Sequence, residues 1–117
     1  MFRDDDGGWF SHAVPVSIIT CAAPNKGALD NQGRLDPVTL EAALRRRADF
    51  VLAIAAHHGV THLVLGAWGC GVFRNDPAMV ADAFKQPLKK RFAGAFDEVV
   101  FAIMGGPGDL NHDAFAA

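Results

Sequence analysis

A small α/β unit built around a mostly parallel sheet is the fold class this sequence predicts. Three short, apolar, β-branched runs lie at residues 14–20, 61–65 and 98–103. Two long amphipathic stretches, each opened by Asp-Pro, separate them. Strands alternating with helices pair in parallel through right-handed crossovers, which gives the order β-α-β-α-β in three layers. The 117 residues suffice for one domain with one core.

Each element has its own warrant. Val14 to Thr20 reads as a buried strand, with Pro15 near its beginning, where a missing N–H is tolerated. The polar stretch from Cys21 to Arg34 reads as a loop. Asp36 can cap a helix whose first residue is Pro37, and Leu40, Leu44, Ala48, Val51 and Ala55 then recur at helical spacing on one face. Gly59 is the residue type that ends such a helix. Thr61 to Leu65 is the next strand. Asp76-Pro77 opens a second helix bearing Val80, Phe84 and Leu88, which Pro87 should kink or end. Glu98 to Ile103 is the last strand, followed by a glycine-rich break and a tail able to form a helical turn. The near-continuous apolar strands imply a sheet covered on both faces. Because three strands alone are marginal, the open sheet edge is expected to be covered, by a second copy of the chain or by a partner.

Composition excludes several function classes. The net charge of −2 argues against a nucleic-acid groove. The run Arg45-Arg46-Arg47 is read as the solvated side of a helix. No apolar run is long enough to span a bilayer, and the acidic start is unlike a signal peptide, so no membrane partner and a cytoplasmic location are expected. Cys21 and Cys70 are then free thiols. His57 and His58, adjacent on a helix, do not face the same way and are read as solvated helix-end residues. No metal or cofactor is expected.

The chemistry concentrates in Gly66 to Asp76. Gly66, Gly69 and Gly71 allow close backbone approach and positive φ. Successive N–H groups in such a loop can form an anion-binding concavity, and the following helix points its positive end the same way. The loop matches neither the P-loop nor the Gly-x-Gly-x-x-Gly fingerprint. Trp68 and Phe73 could stack on a ligand ring or simply plug the top of the core. On the residues alone, a phosphate cradle and a ligand-free turn both remain open.

The run Leu65-Gly66-Ala67-Trp68-Gly69-Cys70-Gly71-Val72-Phe73, with Asn75-Asp76-Pro77, Val80-Ala81 and Phe84, resembles the phosphate loop and following helix of the microbial-type poly(ADP-ribose) glycohydrolases, which are divergent macrodomains. Phe2-Arg3-Asp4-Asp5, Ala23-Pro24-Asn25 and Val99 to Ile103 resemble further parts of that family, so the likeness covers nearly the whole chain as a C-terminal half. The resemblance implies a single macrodomain-like domain over residues 1–117, an incomplete one, that binds ADP-ribose or poly(ADP-ribose). It implies that Gly69 to Phe73 wrap the diphosphate through backbone N–H groups and that Phe73 packs near the distal ribose. Gly66, Trp68, Cys70 and Val72 belong to the same loop, and Ala23, Pro24 and Asn25 would line the adjoining wall.

The family's catalytic signature is a Gly-Gly-Gly segment followed by Gln-Glu-Glu, N-terminal to every part matched here. This chain has two glutamates, Glu41 and Glu98, and neither follows a glutamine. Glycosidic cleavage needs a positioned carboxyl, so no catalytic residue is assigned, and binding without cleavage is the expectation. Two other readings stand beside it. Cys70, in a glycine loop before a helix, could be the nucleophile of a thiol hydrolase, with His12 or His112 as base. Alternatively, Trp68 collapses the loop onto the core, and the chain is a structural fragment that binds nothing.

Overall fold

A computed structural model describes residues 2–117. Four helices and two strands follow in the order α1 (Lys26–Asn31), α2 (Pro37–His57), β1 (His62–Leu65), α3 (Pro77–Lys89), β2 (Glu98–Phe101) and α4 (Leu110–Ala116). The two strands pair in parallel, with His62 opposite Glu98 and Leu65 opposite Phe101. The backbone N–H of Ala102 donates to the carbonyl of Leu65 at 2.7 Å, carrying the pairing one bond further.

The Asp-Pro signals mark both helix starts. Asp36 and Asp76 each accept from the N–H two residues on, and Pro37 and Pro77 take the first helical position. All five apolar positions read at helical spacing on α2 are buried, and Leu44 and Leu52 are fully enclosed with Val80 of α3. Leu63 and Leu65 of β1 close this core from the sheet side, and Phe115 of α4 joins it, its ring 5.3 Å from that of Phe101. Arg45 bridges Glu41 and Asp82, each at 2.8 Å, and so ties α2 to α3. Arg47 donates to the carbonyl of Ala22. Arg46 is exposed while Arg45 and Arg47 are half-buried, so that run is a docking face for neighbouring segments as well as a solvated one.

Three expectations need correction. Residues 14–20 form no strand, and Val16 and Ile18 are 56% and 82% exposed. A β-branched run becomes a strand only with a ladder partner, and the described residues supply none for this sheet position. The sheet is accordingly two-stranded, and it is covered on one face only: His62, Val64, Glu98 and Val100 all point to solvent. The segment expected as a continuous loop after Cys21 contains α1, which Asn25 caps by accepting from the N–H of Ala28 at 2.9 Å. Pro87 lies inside the last turn of α3, which ends two residues further at Lys89. The Pro87 carbonyl accepts from both Lys90 and Phe92, turning the chain out of the helix.

The radius of gyration is 15.7 Å, against about 13 Å for a compact domain of this length. With extents of 51 × 32 × 26 Å, the molecule is an elongated slab with one bare sheet face.

Candidate functional site

The loop leaving β1 is folded by its own backbone. Trp68 N–H closes on Gly66 O at 2.8 Å, Cys70 N–H on Ala67 O at 3.1 Å, and Arg74 N–H on Gly71 O at 2.9 Å. Asn75 N–H reaches back to Gly69 O at 3.1 Å. The amides of Gly69, Gly71, Val72 and Phe73 donate to no acceptor among the described residues. Gly71 and Val72 are exposed and Phe73 half-buried. Three consecutive unpaired donors on an exposed arch are what an anion-binding nest requires.

Side chains beneath the arch hold it in place. Asn75 is 2% exposed, and its Nδ2 donates to Pro24 O at 2.8 Å and to Gly69 O at 3.0 Å. Its Oδ1 is buried without a partner. Gly69 has φ +74°, and a Cβ there would lie 2.5 Å from both the Ala23 methyl and Asn75 Nδ2. Glycine is therefore needed at this position twice over, for backbone conformation and for room.

Trp68 turns inward. Its ring meets Phe84 edge-on at 5.8 Å, and its indole N–H donates to Cys21 O at 2.8 Å. It fills the top of the core and staples residues 21–25 to the loop, while Val72, 91% exposed, leaves the arch itself open. Ala23 and Pro24 are buried under the arch, and Asn25 spends its side chain on capping α1. Phe73 accepts from the N–H of Gly27 at 2.9 Å, so both wall and arch are anchored to α1.

Two electrostatic expectations change. The N-terminus of α3 is occupied by the Asp76 carboxylate, so the donors open to an anion belong to the loop and not to the helix end. Cys70 is not activated: burial, then the nearby Asp76 charge, pushes its thiol up to about 11. Its sulfur donates to Trp68 O at 3.8 Å, and His12 and His112 instead bond Ser11 and Asp113. This removes the physical basis for a thiol nucleophile. The described residues hold no group of three His, Cys, Asp or Glu suited to a metal, and no helix long and apolar enough to cross a membrane.

Solved structures supply the decisive comparison. The poly(ADP-ribose) glycohydrolase of Deinococcus radiodurans in complex with ADP-ribose superposes with a TM-score of 0.91 and 47% identity, over 98% of this chain and 47% of that one. Its apo form gives 0.88 and 48%. This chain is similar to part of a bacterial poly(ADP-ribose) glycohydrolase. The glycohydrolase of Thermomonospora curvata agrees, at a TM-score of 0.88 and 47% identity, with 42% of its length covered. The chain thus spans about half the length of the glycohydrolases it matches. No protein-family model matches the sequence, and a search of curated proteins returns no match.

Asn75 is the residue that sequence reasoning passed over. It stood in the motif as a loop residue before a capping aspartate, but its burial and its two carbonyl partners make it the latch of the arch. The available signal was weak: an asparagine in a glycine-rich loop usually serves the turn itself.

Proposed function

We propose that the chain is an ADP-ribose-binding unit, a single incomplete macrodomain-like domain corresponding to the C-terminal half of a poly(ADP-ribose) glycohydrolase. The observation that carries this reading is the exposed arch with the unpaired amides of Gly71, Val72 and Phe73. Gly69 to Phe73 take the diphosphate, with Phe73 beside the distal ribose. Gly66 and Cys70 complete the loop. Trp68, Ala23, Pro24 and Asn25 act from beneath, holding arch and wall together. The likeness to a glycohydrolase with ADP-ribose bound supports the choice of anion. At the neighbouring strand end, Phe101, Ile103, Phe115 and His112 border a recess of about 280 Å³, part aromatic and part polar, at the same sheet edge.

These residues bind and do not cleave. Glu41 is engaged by Arg45, and Glu98 opens β2 at the end of the sheet remote from the loop. Neither offers a general acid to a ligand on the arch. The open edge of the two-stranded sheet is a surface that a second copy or a partner covers.

Calorimetric titration with ADP-ribose, with AMP and ribose 5-phosphate as controls, tests the reading. Micromolar ADP-ribose binding that Gly71→Glu abolishes is the expected result. A folded chain that binds no ADP-ribose overturns it.

A further inference from the structure

We propose that the cleft between the end of the loop and α1 is a second anion subsite, with Arg74 as its cation, for the next phosphate group of an oligomeric ADP-ribose. The inference rests on the ADP-ribose reading of the loop and extends it toward the polymer.

Four observations converge on Arg74. It is exposed and has φ +56°, a left-handed conformation that a non-glycine residue adopts only at a cost. Its guanidinium lies directly over Gly27, where an added Cβ would sit 2.8 Å from Nε. One nitrogen, Nη2, is held by Gly27 O at 3.3 Å and Asn31 Oδ1 at 3.2 Å. Nε and Nη1 donate to no group among the described residues, and no carboxylate there lies within ion-pair distance.

The surroundings suit an anion. Asn25, Gly27, Ala28, Asn31, Val72 and Arg74 line an open cleft of about 510 Å³, and none of them is acidic. Val72 both lines this cleft and carries one of the unpaired amides, so the cleft continues the arch. A guanidinium held by one nitrogen, with other donors open, is pre-ordered to take phosphate oxygens. Val72 is common to arch and cleft, so a ligand that continues beyond a diphosphate on the amides meets this wall.

The test compares ADP-ribose with an ADP-ribose dimer on the full 117-residue chain, by calorimetry at low salt. The parent should bind the dimer about fivefold or more tightly, beyond the twofold that two equivalent units give by statistics. Arg74→Gln and Arg74→Gly should both erase that excess while leaving ADP-ribose affinity within about twofold. The glycine variant also relieves the left-handed backbone, so agreement between the two separates charge from strain. Equal affinity of the parent for both ligands overturns the subsite, as does an equal loss for both ligands in the variants. If the folded parent binds neither ligand, the reading of the loop falls, and the subsite with it.

Discussion

Two glycines two residues apart, Gly69 and Gly71, should answer differently to the same added methyl. At Gly69 the backbone has φ +74°, which costs an alanine roughly 1–2 kcal/mol. The methyl would sit 2.5 Å from Ala23 Cβ and from Asn75 Nδ2, and both neighbours are anchored, at 8% and 2% exposure. Overpacking of a fixed site typically costs about 1–3 kcal/mol. Reduced freedom of the unfolded chain returns about 0.4–1 kcal/mol. Gly69→Ala should therefore destabilise by about 1–5 kcal/mol. At Gly71 a Cβ meets nothing within 4 Å, and the residue is not among those with positive φ. Gly71→Ala should lie between no change and about 1 kcal/mol of stabilisation. Urea unfolding of both variants reads this directly, as a shift in midpoint at constant slope. A Gly69→Ala protein within about 0.5 kcal/mol of the parent refutes the account of how the arch is packed.

Asn75→Asp should be worse than Asn75→Ala. The aspartate loses both donors and sets a carboxylate against the carbonyls of Pro24 and Gly69 in a buried site, at a cost of about 3–5 kcal/mol. The alanine loses the same two bonds but also removes the partnerless Oδ1, so about 1–2 kcal/mol is expected. The reverse order in denaturant unfolding would contradict the latch. Cys70, raised from 9.0 to about 11, should alkylate with iodoacetamide at neutral pH about a hundredfold more slowly than free cysteine, measured in a Cys21→Ser background. Because its folded value is raised, its contribution to stability is full below 9.0 and is lost as pH climbs toward 11. Rapid labelling at neutral pH would restore the nucleophile reading.

The long helices were legible because their signals are local. The Asp-Pro starts and the spacing of Leu40, Leu44, Ala48, Val51 and Ala55 require only the chain itself. The strands at 62–65 and 98–101 were legible for the same reason, each shortened by a residue or two. Residues 14–20 carried the side-chain pattern of a strand, but pairing is a tertiary event that a pattern does not supply. Helix α1 was hidden by Gly27, a poor helix former, and only the guanidinium of Arg74 above it explains a glycine there. In the site, the glycines announced the loop, but the inward turn of Trp68 and the latch of Asn75 depend on Phe84, Cys21 and Pro24. Those partners are far away in sequence.

The central claim is that the unpaired amides of Gly71, Val72 and Phe73 receive the diphosphate. Amide chemical shifts of the isotopically labelled chain during an ADP-ribose titration test it residue by residue. The account predicts that these three resonances shift most, in the direction of stronger hydrogen bonding, and in step with the calorimetric affinity. Binding accompanied by shifts elsewhere, with these three amides unmoved, would contradict it.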